Sequence, residues 1–510
     1  MNTLLIAPVG LPLLAGIGLL LSRRVDVRWQ RRLSVLAVAA QLGVALALWA
    51  TVSGGAISVY ALGNWPAPFG IVLVADRLAV WMLIVTAVVA LGALGYAMRG
   101  EDQAGRYFHA LFQFQLMGLN GAFLTGDLFN LFVFFEILLM ASYGLLLHGG
   151  GRERIRAGLH FVVVNLVGST LFLFAVGSLY GVLGTLNMAD LAVKAAALPP
   201  ENAPLVQTAG LLLFAVFALK AALLPFYLWL PAAYAQTGAA VAALFAIMTK
   251  VGVYGILRIY PLIFGATAGP AADVLTPWLL PLALATLLIG ALGAVASTGL
   301  RQQVAYLVVA SVGSLLTAVG LNSAAGIAAG LYYLPPSTLA LATLFLLADS
   351  IARQRGAVGD RLEPGPAIAD TRSLGSLFFL TALAVAGLPP LAGFLGKFLL
   401  LRAALDHPLL PWIMGTVLAA ALLSIIALAR TGSLLFYRPT AESMEPAPER
   451  SGSGEQAFLL ETAPLIGWLV LVLGLTLAAG PVLDQTRAMA GQMLQPQLYI
   501  QAVLKPGGTL

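Results

Sequence analysis

The sequence predicts an all-α polytopic membrane protein of about fourteen transmembrane helices. Three observations lead there. First, 60% of the 510 residues are hydrophobic and only 9% are charged, whereas a water-facing fold carries roughly a quarter charged residues. Second, runs of about twenty apolar residues, the length that crosses a bilayer, recur along the whole chain. Third, the arginines between these runs fall in alternate connections, as expected when one face of the membrane collects positive charge.

In chain order the runs lie near 3–21, 33–51, 71–97, 107–125, 127–147, 159–183, 205–230, 239–263, 273–296, 302–321, 325–351, 374–405, 410–437 and 458–483. The fourth and fifth nearly touch at Gly126–Asp127, and 374–405 is too long for one straight span. The first run is followed by SRRVDVRWQRR, not preceded by positive charge, so it reads as a retained helix and not a cleaved leader. Arg23, Arg24, Arg28, Arg31 and Arg32 follow the first run. Arg99 and Arg106 follow the third; Arg152, Arg154 and Arg156 follow the fifth. Arg301 precedes the tenth, Arg353, Arg355, Arg361 and Arg372 follow the eleventh, and Arg430, Arg438 and Arg450 lie near the connection after the thirteenth. The opposite connections hold only Lys194, Arg402, Arg487 and Lys505, with Arg77 at a helix start. This asymmetry places both termini on the outer side of a bacterial cell membrane.

The polar stretch 439–457, PTAESMEPAPERSGSGEQA, reads as a mobile cytoplasmic loop, too small for a nucleotide-binding domain. The tail beyond Pro481 is expected either on the membrane surface or as an unimportant extension. With no cysteine and four scattered histidines (His109, His148, His160 and His407), neither a metal centre nor a cofactor is expected. The net charge of +6 sits in short loops between apolar runs, which argues against nucleic acid.

Chemistry enters with charges inside the apolar runs. The chain has five lysines against 22 arginines, yet Lys220, Lys250 and Lys397 all fall within spans, as does Glu136. Each such charge costs about 2.5–3.5 kcal/mol at a helix centre. Arginine stays protonated in almost any site, whereas a desolvated lysine can lose its proton and a desolvated glutamate can keep one. Groups that alternately bind and release protons are of this kind. The competing explanation is a set of static ion pairs, but one carboxylate cannot neutralise three amines. Glu136 is expected to pair with Lys220 across two helices. Lys250, Tyr254 and Arg258 recur at intervals of four, making one polar stripe along a helix; near the helix end, snorkelling accounts for Arg258 equally well. Asp127 suits a helix cap as well as a functional role, and His160 suits the membrane interface.

Two spans also contain prolines beside these lysines: LKAALLPFYLWLP (219–231), with Pro225, and AGLPPLAGFLGKF (386–398), with Pro389 and Pro390. Proline removes an amide donor, and in lipid the freed carbonyls need internal partners. Interrupted spans at corresponding places in two halves point to repeats and a midplane transport site. Here they fall in spans seven and twelve, an odd interval that would invert the second unit. A further Pro-Pro lies in LYYLPPSTLALATLFLLAD (331–349), beside tyrosines suited to lining a water path.

The stretches DLFNLFVFFEILLMASYGLL, LKAALLPFYLWLPAAYAQTGAAVAALFAIMTKVGVYGILRIYPLIFG and GLPPLAGFLGKFLLL resemble the antiporter-like subunits shared by respiratory complex I, membrane-bound hydrogenases and Mrp cation/proton antiporters. Within that family, PAAYAQTGAAVAALFAIMTKVGVY looks most like the D-type component of Mrp antiporters. The resemblance implies spans 4–8 and 9–13 as inverted five-helix repeats, broken helices 7 and 12, and a division into 1–106, 107–263, 264–437 and 438–510. By motif, Glu136, Lys220, Lys250 and Lys397 correspond to the family's glutamate of span five and lysines of spans seven, eight and twelve. Complex I relatives and the large A-type component of Mrp antiporters carry histidines in this region. Here Tyr227 and Tyr234 occur and no histidine lies between 220 and 260, so hydroxyls or water have to bridge, with Tyr254, Arg258, Tyr234, Tyr306 and Tyr333 as the supporting polar path. The implied partners are the other Mrp subunits, with protons and Na+ or K+ as cargo; the chain alone is no enzyme. The alternatives are a proton-pumping subunit of complex I or a hydrogenase, and a substrate-binding transporter acting alone.

Overall fold

The computed structural model describes residues 3–22, 26–438 and 454–504, with side chains in the last segment from 461 onward. Arg23, Arg24, Arg450, Lys505 and most of the 439–457 stretch lie outside the described residues. The chain opens with a 3-10 turn (Thr3–Ile6) leading into α1 (Ala7–Leu21), then α2 (Val27–Val52). The run expected as a helix from 71 begins as a strand instead. Strands β1 (Ser58–Ala61) and β2 (Val72–Ala75) form an antiparallel hairpin with Val59 opposite Val74, and α3 (Arg77–Ala97) starts only after Asp76, whose carboxylate accepts the Ala79 amide. A four-residue apolar run beside a helix carries no periodicity that tells the two apart.

Next come α4 (Phe108–Leu124), α5 (Leu128–Leu147) and α6 (Arg152–Leu183). Asp127 accepts the Asn130 amide at the start of α5, the capping role open to it from sequence. A short helix unforeseen in the sequence, α7 (Met188–Ala196), precedes α8 (Ala203–Ala221), α9 (Trp229–Gln236) and α10 (Ala239–Ile263). The second half follows as α11 (Thr276–Ala296), α12 (Leu300–Gly320), α13 (Ala324–Gln354), α14 (Thr371–Ala386), α15 (Ala392–Ala403) and α16 (Leu410–Tyr437). The chain ends in α17 (Gly454–Leu477), α18 (Ala479–Met493) and α19 (Pro496–Leu504).

Among the described residues, eleven helices are long and apolar enough to cross a membrane. The runs at 107–125 and 374–405 are occupied by the shorter α4 and by the α14–α15 pair. The run expected at 458–483 turns by 81° between α17 and α18, and the tail beyond it packs on the rest of the protein. Met489, Ala490, Tyr499 and Val503 are buried against the bundle, and Gln492 donates to the Gly55 carbonyl shortly before β1.

Two interruptions shape the middle of the bundle. Between α8 and α9 the chain passes Ala222 in the left-handed region. There Leu224's amide donates to Thr286 of α11, and the Trp229 indole donates to the Leu219 carbonyl. Between α14 and α15, Gly387 takes the left-handed turn. The Pro335–Pro336 pair sits inside an unbroken α13, where Ser337 and Thr338 hydroxyls donate to the Leu334 carbonyl. Helices α1, α2 and α4 are held together by a closed amide network: Gln41 donates to Gln113, Gln113 to Ser34, and Asn120 to Gln41 and to the Pro8 carbonyl.

Helices α10 and α13 form the interior, their apolar windows entirely buried. Small residues allow backbones to approach closely where lipid offers no hydrophobic drive. At Gly252 an added methyl would lie 2.5 Å from the Ala221 amide nitrogen of α8. Gly252→Ala therefore forces α10 off α8. It should cost about 1–3 kcal/mol of stability, read as a lowered midpoint in thermal unfolding of the detergent-solubilised protein; an unchanged midpoint would contradict this packing.

Candidate functional site

The first group of charges is built around α6, which packs between α5 and α8. Ser169 donates its hydroxyl to Glu136 Oε1, and Ser169 Oγ also lies 3.1 Å from the Asn165 carbonyl. One turn earlier on α6, Asn165 Oδ1 accepts a hydrogen bond from Lys220 Nζ at 3.1 Å. The expected direct Glu136–Lys220 pair is therefore replaced by a bridged one, because Ser169 and Asn165 of α6 take up the two charges. Neither Asn165 nor Ser169 stands out in the sequence as a site residue. Their signal is there nonetheless, two polar residues four apart in the apolar run FVVVNLVGST.

Lys220 occupies the last turn of α8, just before the break, where a helix's negative end favours a cation. A small cavity of about 10 Å³ beside it is lined by Phe135, Asn165, Lys220, Trp229, Met248 and Val251, at the lower limit of room for one water. The close contact of Gly252 with Ala221 brings the two lysine-bearing segments together.

Lys250 is fully buried on α10, and its Nζ has no protein partner. The adjacent Thr249 hydroxyl and Gln115 Oε1 are also buried and unpartnered, while Gln115 Nε2 approaches Met248 Sδ at 3.7 Å. Buried polar groups are ordinarily hydrogen-bonded, so three unpartnered atoms on this part of α10 and the facing α4, the amine among them, mark this as a special place in the bundle. From Lys250 the expected stripe continues outward. Tyr254 donates to the Phe123 carbonyl at 2.5 Å, and Arg258 Nε donates to Tyr254 Oη at 3.0 Å.

Arg258 does not snorkel. It is 7% exposed and makes a two-point ion pair with Asp76 at 2.6 and 2.7 Å. The rings of Tyr254 and of Tyr499 on α19 each lie 5.3 Å from its guanidinium. Asp76 precedes α3, 182 residues away in sequence, and only its position before an apolar run hints at a special role.

Lys397 lies on α15, beyond the second break. Its Nζ donates to the carbonyls of Ala386 at 2.7 Å and Val385 at 3.3 Å, the groups left open where α14 stops. Next to it a cavity of about 20 Å³ is lined by Ser311, Ser314, Tyr333, Ser337, Ser424 and Lys397, among others. That is room for one water among five hydroxyls, and Ser311 Oγ is unpartnered.

The remaining expected tyrosines divide. Tyr333 lines the Lys397 cavity, whereas Tyr234 donates to the Phe245 carbonyl at 2.8 Å and braces α9 against α10. The Tyr306 ring of α12 lies on Gly293 of α11. Pro225, Pro389 and Pro390 all fall in the two interruptions.

Comparison with known proteins gives a consistent result. The family model described as "NADH:quinone oxidoreductase/Mrp antiporter, TM" matches residues 125–426. A Rhizobium meliloti protein, named as the probable D-type component of a K+/H+ antiporter, is 43% identical over 474 residues, 88% of this chain and 86% of the relative. An Alkalihalophilus pseudofirmus protein, named as the D-type component of a Na+/H+ antiporter, is 38% identical over 99% of this chain and all of the relative. Among solved structures, a chain of the Mrp complex from a Dietzia species superposes with a TM-score of 0.87 at 30% identity, covering 99% of this chain and 100% of that one.

The Asn165 bridge has a measurable consequence. Asn165→Leu leaves the Lys220 amine without its acceptor and should cost about 1.5–3 kcal/mol. The double variant Asn165→Leu/Lys220→Met should recover at least about 1 kcal/mol of the summed losses, read from thermal unfolding. Strictly additive losses would show that the contact carries no energy.

Proposed function

The chain belongs to the family of membrane subunits shared by NADH:quinone oxidoreductases and Mrp antiporters, and on that premise we propose that it is the D-type component of a multisubunit antiporter exchanging Na+ or K+ for protons. Its relatives, named as D-type components of Na+/H+ and K+/H+ antiporters, favour this over a pumping subunit of complex I or a hydrogenase. Their names also speak against a solitary transporter.

Protons move through Glu136, Lys220, Lys250 and Lys397. The observation that carries this is the unpartnered Lys250 amine, sealed in a wholly buried helix. A buried cation kept only for architecture has its partners, as Arg258 has Asp76. One without a partner suits a group that passes its proton on.

The Glu136–Lys220 pair sets the charge beside Lys250. At ~4 Å and an effective dielectric near 20, a charge acts on its neighbour by about 4 kcal/mol, and at twice that separation by about 2 kcal/mol. That is still more than a tenfold bias on where a proton resides. From Lys250 the proton passes to Lys397 by way of the hydroxyls and water of the Ser311–Tyr333 cavity.

The proposed architecture has fourteen spans with inverted repeats at 107–263 and 264–437, flanked by 1–106 and 438–510. It is supported by the two interruptions, 222–228 and 387–391. The lysines are not at equivalent points of the repeats, since Lys220 precedes its break and Lys397 follows its own. The arginine-rich connections face the cytoplasm of a bacterial cell and both termini face outward.

Lys250→Ala and Glu136→Ala in the assembled complex should each reduce cation/proton exchange in membrane vesicles by at least about tenfold, equivalent to 1.4 kcal/mol, with all subunits still co-purifying. Variants that exchange like wild type would remove these residues from the path.

A further inference from the structure

Helix α10 carries Lys250, yet it begins at Gly238 with no side-chain cap of its own. The cap comes from elsewhere. Glu101, in the turn Glu101–Gln103 between α3 and α4, accepts the Ala240 amide on Oε2 at 3.0 Å. A methyl group at Gly238 would overlap the Glu101 carboxylate, so glycine is what admits it.

Capping uses only half of this carboxyl. Oε1 is buried and has no hydrogen-bond partner, and the fully buried Thr237 hydroxyl, one residue before Gly238, has none either. Glu101 as a residue is still partly exposed, so it stands where the solvent of the arginine-rich face meets the interior.

The charged groups around it are occupied with one another. Arg301 of α12, Arg353 of α13 and the Tyr96 hydroxyl of α3 all bind Asp349 of α13. Arg154 of α6 donates to the carbonyls of Gln236 and His148, and His148 reaches only Glu101's backbone carbonyl. In the same turn, Asp102 is held by Arg31 and by His109 of α4. Among the described residues no cation lies within 4 Å of the Glu101 carboxyl. Burial pushes that carboxyl above the ordinary range and Asp349 adds to the rise, while the Ala240 and Val241 amides and Arg301 oppose it.

From Ala240 to Lys250 is ten residues of helix, about 15 Å at 1.5 Å per residue. The unpartnered atoms of Thr237, Thr249 and Lys250 mark both ends of that interval. Resting on the relay proposed above, we propose that Glu101 is a further relay residue, the carboxyl that takes up protons at the arginine-rich face and feeds them along α10 to Lys250. Only its ionised form accepts a proton, so uptake falls as pH drops through its raised value.

The test is Glu101→Gln in the whole complex, because the glutamine amide oxygen still accepts the Ala240 amide but cannot titrate. With all subunits co-purifying, cation/proton exchange in vesicles should fall at least about tenfold, and the residual rate should lose the acid-side decline of the wild-type pH profile. Exchange and pH profile equal to wild type would overturn the proposal and leave Glu101 a helix cap. Loss of the complex from the membrane would overturn it too, assigning the residue to the fold. Lys250→Ala in parallel separates the two claims. If it abolishes exchange while Glu101→Gln does not, only this inference falls; if Lys250→Ala exchanges normally, the relay itself falls.

Discussion

In hydrocarbon every polar group must find its partner inside the protein, and most of this structure follows from that constraint. Where helices are continuous the backbone satisfies itself. Where α8 and α14 stop in mid-bundle, side chains replace the missing donors and acceptors: Thr286 for the Leu224 amide, Trp229 for the Leu219 carbonyl, Lys397 for Val385 and Ala386. Lys397 thus has a structural reason to be where it is, and the same position puts its amine at the edge of a hydroxyl-lined cavity. Lys250 is the exception that gives the rest its meaning. Its helix is unbroken around it, its amine completes no backbone bond, and no side chain hydrogen-bonds to it.

The same constraint separates two kinds of buried charge. Arg258 and Asp76 are paired at two points and roofed by aromatic rings. Such a pair, built from a guanidinium that keeps its proton, joins α10 to α3 and holds the C-terminal helix over both. The lysines are held by one neutral amide, by carbonyls, or by nothing. A bundle whose arginines clamp and whose lysines stay lightly held suits the proposed proton path, because its shape does not depend on the groups that would titrate.

What can be read from the sequence is what lies along one segment. Apolar length, proline breaks, the preference for lysine inside spans and the 250–254–258 stripe are all local patterns, and each has a counterpart in the fold. Partners on other helices leave no such pattern. Asn165 and Ser169 sit in an apolar run whose neighbours are decided by tertiary packing, so Glu136 and Lys220 are expected to touch when side chains of α6 in fact bridge them. Asp76 and Glu101 reach α10 from turns far away in the chain. The strand at 72–75 is absorbed into an expected helix because its four apolar residues match either element. The tail looks expendable in sequence because its contacts, Tyr499 on Arg258 and Gln492 on Gly55, are all long-range.

Ordered water in the assembled antiporter complex, seen at a resolution that shows individual molecules, tests the central claim most directly. The account expects density beside Lys250 Nζ and in the cavity of Ser311, Ser314, Tyr333 and Ser337, with steps of about 2.7–3.2 Å continuing to Lys397. Apolar side chains packed without water between the two amines would contradict it.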